Sequence, residues 1–364
     1  MEDNTKLSLD EEEIYHIALW MPNWIGDVIL SLPALQSLRT RFPGTRITAI
    51  VRAPSDELLS GCPAVDSVIQ FPRKKGDGYV KQCNYARGLR KYRFDLGIIF
   101  PNSLHSAMMM KLAGARFRVG YSTDARWPFL THTLPVTKKE RKTSYRVNYF
   151  HNILSPLNPD PVSSHYDPMW KQEDGVDTEE TLFKVGVDNN GFLVTLHPGT
   201  SKPERAWHVE RFGILCQKLI KQHRMKIVLL GTQKERPLLK KISEFCPAGM
   251  TTIVPELNLH EITQLIAVSR LFIGNDSGMM HLASLVGTPV VGIFGPGHPE
   301  TTGPFLASEK HETVTRNYPC SPCRQRFFNE CKPSPHNKPY CLEDISVKDV
   351  SEAVERIVKR LQLR

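Results

Sequence analysis

At 364 residues, with 40% hydrophobic, 23% charged and 9% aromatic side chains, the chain has room for two domains with full cores, and this composition excludes disorder, collagen and coiled coil. The net charge is +9, and no stretch approaches the roughly 18 apolar residues of a membrane-spanning helix. The first thirteen residues are polar and end in an acidic run, Asp10 to Glu13, unlike the basic and then apolar start of a secretory signal; a cytoplasmic protein is expected. Its eight cysteines are then expected as thiols or metal ligands rather than disulfides.

Apolar runs of strand length alternate with amphipathic stretches of helix length, the pattern of a parallel α/β protein. Strands are predicted at 14–20, 46–51, 67–71 and 95–100, and helices at 28–42, 79–92 and 104–114. Pro156, Pro159, Pro161 and Pro168 punctuate residues 155–177, which read as a linker. The pattern then restarts, with strands predicted at 192–196, 226–231, 251–254, 271–274 and 290–294 and helices at 209–223, 234–245, 259–268 and 279–286. Val347, Val350, Val354, Ile357, Val358 and Leu361 fall on one stripe of a final helix. Two similar α/β halves are expected, 1–170 and 171–345, followed by a helix at 346–364.

The charge is unevenly spread. Residues 39–146 carry 21 Lys/Arg against 7 Asp/Glu, a net of +14, and the remainder a net of −5. A basic face can be incidental, or it can meet phosphates, acidic sugars or anionic lipid.

Three turns carry chemistry. Asn23-Trp24-Ile25-Gly26-Asp27 lies between the first strand and its helix, where a doubly wound sheet presents ligands. Asp27 is either a helix cap or a general base aimed at a reacting hydroxyl, its anion favoured by the helix start. His197-Pro198-Gly199-Thr200-Ser201, with Arg205-Ala206-Trp207 beyond, is an ordinary loop or a phosphate cradle, Arg205 adding a bidentate donor. Gly274-Asn275-Asp276-Ser277-Gly278-Met279-Met280-His281 is the sharpest. The amides of Ser277, Gly278 and Met279 at a helix start make an anion site, and Asp276 is either a cap or an acceptor for sugar hydroxyls. A loop with both functions suits a nucleotide-sugar.

No Walker A or Rossmann glycine motif is present; the nearest approach, Gly295-Pro296-Gly297-His298-Pro299-Glu300, lacks the last glycine. A dinucleotide cofactor is not expected. Cys320, Cys323, Cys331 and Cys341 form a C-x2-C-x7-C-x9-C cluster, open to structural zinc, free thiols or disulfides.

These three turns, in this order across two α/β halves, resemble the lipopolysaccharide heptosyltransferases of glycosyltransferase family 9. The Asn-Trp-Ile-Gly-Asp form, followed by Pro33-Ala34-Leu35, is most like the heptosyltransferase II branch, and the four-cysteine segment is similar too. The resemblance runs from about Ile14 to the last helix. It implies a GT-B fold, two Rossmann-like α/β/α domains facing a central cleft, with the acceptor on the N-terminal domain, the nucleotide-sugar on the C-terminal one, and the last helix crossing back to the first.

It also implies inverting transfer of L-glycero-D-manno-heptose from ADP-heptose to a Kdo-modified lipid A core, without a catalytic metal or other required cofactor, by a cytoplasmic protein peripheral to the inner face of the inner membrane. Asp27 would be the base. Thr200, Ser201 and Arg205 would hold pyrophosphate, Asp276, Ser277, Gly278, Met279 and His281 the heptose and phosphates, and Glu235 the ribose. The family usually has Lys where this chain has Arg205, which is not a neutral exchange. A transferase with another nucleotide-sugar or acceptor, or a binding protein without turnover, are the competing readings. A nucleic-acid partner has only the basic half in its favour and no motif.

Overall fold

The structure is a computed structural model that describes residues 14–72, 78–162, 176–187, 191–254, 257–320, 323 and 325–363. The chain divides into two compact units, 1–163 and 164–364. The first holds β1 (His16–Trp20), β2 (Arg46–Val51), β3 (Ser67–Gln70), β4 (Leu96–Ile99), β5 (Phe117–Tyr121) and β6 (His132–Leu134). The second holds β7 (Leu193–His197), β8 (Lys226–Leu230), β9 (Thr251–Val254), β10 (Leu271–Asn275), β11 (Val290–Phe294) and β12 (His311–Thr315).

Each unit is one six-stranded parallel sheet, ordered β3-β2-β1-β4-β5-β6 in the first and β12-β11-β10-β7-β8-β9 in the second. Numbered from its own first strand, each has the doubly wound order 3-2-1-4-5-6. The winding direction reverses between β1 and β4, and again between β7 and β10. There the loops after neighbouring strands lead away to opposite faces, leaving a crevice. β1 and β10 are buried along their whole length, as strands covered by helices on both faces must be.

β5, β6 and β12 have no counterpart among the predicted strands. They read Phe-Arg-Val-Gly-Tyr, His-Thr-Leu and His-Glu-Thr-Val-Thr. β6 and β12 are edge strands with partly exposed residues, so none of the three presents a continuous apolar run. Helix Ile25–Arg41 begins three residues earlier than predicted and passes through Pro33. A helix at Val176–Val185 overlaps the end of the predicted linker, whose centre, like the expected boundary at 170, lies outside the described residues.

The last helix packs on the second sheet. Helix Val347–Leu361 opens with a capping box, Ser346 with Asp349. It buries Val350, Ala353, Val354 and Ile357 completely, in the core of the second sheet beside Phe212, Leu215 and Val314. Its apolar stripe is matched there by helix Val209–His223 and by β11 and β12. Fully burying a Val or Ile side chain is worth about 1.5–3 kcal/mol, so this apolar face is committed to the second sheet. Among the described residues, no helix is long and apolar enough to span a membrane.

Candidate active site

The second and third sequence turns lie on the two sides of the second unit's reversal point, one after β7 and the other after β10. Asn275 joins them: its Oδ1 accepts from the Trp207 amide at 3.0 Å, and its Nδ2 donates to the Pro198 carbonyl at 2.7 Å. Trp207, 1% exposed, is anchored in turn by its Nε1 donating to the Ile345 carbonyl at 2.9 Å. The crevice is thus held by fully satisfied, buried amides.

Asp276 caps no helix. Helix Gly278–Leu285 has Ser277 as its N-cap, which makes no side-chain capping bond; first-turn amides without a side-chain cap are the kind of group that can receive an anion. The Asp276 carboxylate turns instead to Arg205, with Nη2 2.7 Å from Oδ2 and also donating to the Asp276 carbonyl at 3.1 Å. Burial pushes the Asp276 carboxyl up from its ordinary range, and Arg205 opposes that shift. His281 is pushed down to about 4 by burial and then by Arg205; it is neutral at pH 7. His197 is likewise held down, to about 4, by burial against the opposing charge of Glu235. The Oγ of Ser277 lies 3.4 Å from His197 Nδ1.

Three buried nitrogens of this neighbourhood, Arg205 Nε, His281 Nδ1 and His298 Nδ1, have no hydrogen-bond partner among the described residues. A buried polar atom without a partner is costly. Here the site offers unused donors and acceptors beside an open helix start.

Glycines make the room. A Cβ on Gly297 would sit 2.1 Å from Asp276 Oδ2, and one on Gly199 would sit 2.0 Å from Glu235 Oε1. The Gly-Pro-Gly turn that failed as a dinucleotide motif therefore has its own function, lining the Asp276 pocket. Glu235 does reach the β7 turn. Its Oε2 is engaged by the Thr232 amide and hydroxyl, each at 2.8 Å, while Oε1 faces Gly199. Thr200 donates its hydroxyl to the Lys202 carbonyl at 2.6 Å, which leaves its oxygen able to accept. Ser201 is exposed, and Gly278 and Met279 are half-buried.

Asp27 belongs to the first unit, at the end of β1 and beside that sheet's reversal point. It is the third residue of its helix, whose N-cap is Trp24 without a capping side chain. Asp27 is half-buried in the first helical turn, where the exposed amides favour a carboxylate. Neither Asp27 nor Asp276 is itself the N-cap of the helix that follows it.

Sequence reading missed Arg126. Counted there with the basic excess, it is completely buried. Its Nε donates to the Tyr121 carbonyl at 2.6 Å, Nη2 to Asn102 Oδ1 at 3.2 Å and Nη1 to the Pro101 carbonyl. Burial pushes this guanidinium down to about 10. It pins the loop after β4, opposite Asp27's turn on the sheet.

A second polar knot lies just past Trp207. His208, His336 and Glu343 bring donor atoms within 4.8 Å of one another. The Glu343 oxygens are already taken by Arg211 Nη2 at 2.8 Å and by Ser334 Oγ at 2.7 Å. The knot thus braces the C-terminal segment against residues 208–211, with Arg211 supplying the positive charge a metal would bring.

Comparison with known proteins identifies the family. The model of glycosyltransferase family 9 (heptosyltransferase) matches residues 83–332. Lipooligosaccharide heptosyltransferase 2 of Haemophilus influenzae is 26% identical over 295 residues, covering 78% of this chain and 84% of that protein. Lipopolysaccharide heptosyltransferase 2 of Escherichia coli is 25% identical over 300 residues, with the same coverage. Among solved structures, E. coli ADP-heptose LPS heptosyltransferase II superposes with a TM-score of 0.78 at 21% identity, covering 95% of this chain and 99% of that one. A family 9 glycosyltransferase from Veillonella parvula gives 0.82 at 21% identity, covering 98% and 99%. The chain has two Rossmann-like units of the GT-B class, and the family match spans more than half of its residues: the chain belongs to glycosyltransferase family 9 and is a glycosyltransferase.

Proposed function

We propose that the protein transfers L-glycero-D-manno-heptose from ADP-heptose to the heptosylated, Kdo-modified inner core of lipopolysaccharide, with inversion at the anomeric carbon. The observation that carries the reading is the uncapped helix start at Ser277 beside an Asp276 whose charge is balanced by Arg205. A bare carboxylate would repel a diphosphate. Neutralised by Arg205, Asp276 accepts from sugar hydroxyls while the amides of Ser277–Met279 receive the phosphates. Thr200 and Ser201 supply hydroxyls on the other side of the crevice, His281 adds a neutral ring, and Glu235 Oε1 accepts from the ribose.

In the reaction Asp27 takes the proton of the acceptor hydroxyl as its oxygen attacks the anomeric carbon. The bond from that carbon to the diphosphate oxygen breaks, and ADP leaves with the electron pair. Its negative charge is received by the helix amides and by Arg205 Nε, electrostatic help that is already in place before the reaction. This chemistry needs no catalytic metal. The basic half suits an anionic lipid-linked acceptor, with the enzyme acting at the cytoplasmic face of the inner membrane.

Arg205, where the family usually has Lys, favours one second reading, a related transferase with a different nucleotide-sugar. Incubation with ADP-heptose and defined lipid A cores, followed by product mass, decides between them. A mass gain of one heptose on the heptosylated core supports the proposal. Transfer only from another nucleotide-sugar overturns it.

A further inference from the structure

The carboxyl ends of parallel strands share one edge of their sheet, so the turns that follow them stand in the order of the strands. In the second unit that order, read from β8, is β8-β7-β10-β11. Glu235 follows β8, Thr200 and Ser201 follow β7, Asp276 and Ser277 follow β10, and the turn from Gly295 to His298 follows β11. Neighbouring strands lie about 4.8 Å apart, so this row of turns covers roughly 14 Å. In the proposed donor site the row runs ribose, diphosphate, sugar. The turn after β11 then stands one strand past Asp276, at the sugar's end.

His298 is the polar side chain of that turn. Its Nδ1 is buried and has no hydrogen-bond partner among the described residues, while 24% of the side chain is exposed. Glu300 Oε2 lies 3.9 Å from Nδ1 on a side chain 85% exposed, beyond hydrogen-bond reach and too solvated to count for much as an ion pair. The backbone fixes where the ring sits. Pro299 confines His298 to extended backbone, at φ −131° and ψ 115°. The His298 carbonyl accepts from the Thr301 and Thr302 amides at 2.9 and 3.0 Å. One residue earlier, the tight approach of Gly297 to Asp276 Oδ2 packs the turn against the carboxylate that would accept from sugar hydroxyls.

A buried nitrogen without a partner is costly. A hydroxyl both donates and accepts, so it satisfies Nδ1 in either tautomer. A phosphate oxygen satisfies only a protonated nitrogen, and the amides of Ser277–Met279 already offer phosphates a place. We propose that His298 is a specificity-determining residue, its Nδ1 hydrogen-bonding a hydroxyl of the transferred sugar beside Asp276; this rests on the proposed donor site. Asp276 and His298 then hold the sugar from two adjacent strands, β10 and β11. A site that hydrogen-bonds a substrate hydroxyl discriminates against a sugar that lacks it.

Calorimetric titration of the full chain with ADP and with ADP-heptose, without acceptor, tests this. His298→Ala should weaken ADP-heptose binding about three- to tenfold, the worth of one neutral hydrogen bond, and leave the binding of ADP, which has no sugar to transfer, unchanged. His298→Asn places an amide where Nδ1 stands and should restore most of the loss. Glu300→Gln should alter neither titration. Equal losses for ADP and ADP-heptose, full ADP-heptose affinity in His298→Ala, an Asn variant no better than Ala, or the same loss in Glu300→Gln would each overturn the proposal while leaving the donor site standing. Wild-type protein that does not bind ADP-heptose would overturn the donor site, and the role of His298 with it.

Discussion

Arg205 Nη2 stands 2.7 Å from Asp276 Oδ2, joining residues 71 positions apart from the two sides of one reversal point. In the proposed donor site this pair would reconcile two demands. The carboxylate would accept from sugar hydroxyls close to the phosphates' charge, and one guanidinium would offset the carboxylate with Nη2 and keep Nε for the phosphates.

Removing the cation should expose the cost. Arg205→Met leaves Asp276 ionised and buried without its partner, a loss of about 3–5 kcal/mol for breaking a buried pair from one side. The sign with pH follows from Asp276's raised carboxyl. The folded state holds its proton more tightly than the unfolded state, so stability is fullest below the unfolded value and falls as pH rises through the folded one. Arg205 restrains this in the wild type. Thermal melts should show the variant's deficit at pH 7 shrinking toward pH 4, and Asp276→Asn should rescue it at pH 7. A deficit independent of pH would assign Arg205 a purely packing role.

Asp27→Asn should leave the fold and ADP-heptose binding nearly unchanged while lowering kcat by roughly 10²–10⁴-fold, the usual contribution of a positioned base. Asn keeps the shape of Asp27 and much of its hydrogen-bonding ability in the first helical turn, so a melt should shift little. Near wild-type turnover would remove it from the mechanism.

Gly297→Ala should displace Asp276, because the new Cβ would meet Oδ2 at 2.1 Å. A rise of about tenfold or more in donor KM is expected, equivalent to about 1.4 kcal/mol of lost binding. Gly88→Ala, whose Cβ would meet nothing within 4 Å, is the matched control. Equal behaviour of the two in donor titrations would dissociate the Gly-Pro-Gly turn from the site.

Chelation tests the metal-independent reading. EDTA should leave the initial rate of transfer unchanged if, as proposed, the helix amides and Arg205 receive the leaving charge. A rate abolished by EDTA and restored by Mg²⁺ or Mn²⁺ would contradict the metal-independent mechanism.

Lys138, Lys139 and Lys142 are exposed on a short helix secured by the Thr137–Glu140 capping box. Reversing all three to Glu should weaken binding to anionic vesicles, each charge contributing about 1 kcal/mol near such a surface, with screening over roughly 8–10 Å at physiological salt. Acceptor KM should rise while donor KM stays within about twofold, the margin ordinary for distant, independent sites. A change in donor KM alone would reverse the assignment of the two units.

Much of this protein is written locally. Apolar runs of strand length and amphipathic stretches of helix length disclose the alternation of β and α in both halves, because strands buried on two faces have no polar positions to hide them. The three turns are legible for the same reason: a loop between a buried strand and a helix must carry glycine, small hydroxyls or a carboxylate at fixed places. Tertiary structure alone decided what those turns face. The pairing of Arg205 with Asp276, the opening left by Gly297 for that carboxylate, and the burial of Arg126 among carbonyls each join residues distant in the chain, and such contacts leave no local periodicity. The edge strands β6 and β12 escaped notice because half-exposed strands tolerate His, Glu and Thr. The final helix shows the division most plainly. Its stripe of Val350, Val354 and Ile357 announced that one face must be buried, but the stripe has no direction of its own, and only the shape of the second sheet beside Phe212 and Val314 determined where it lies.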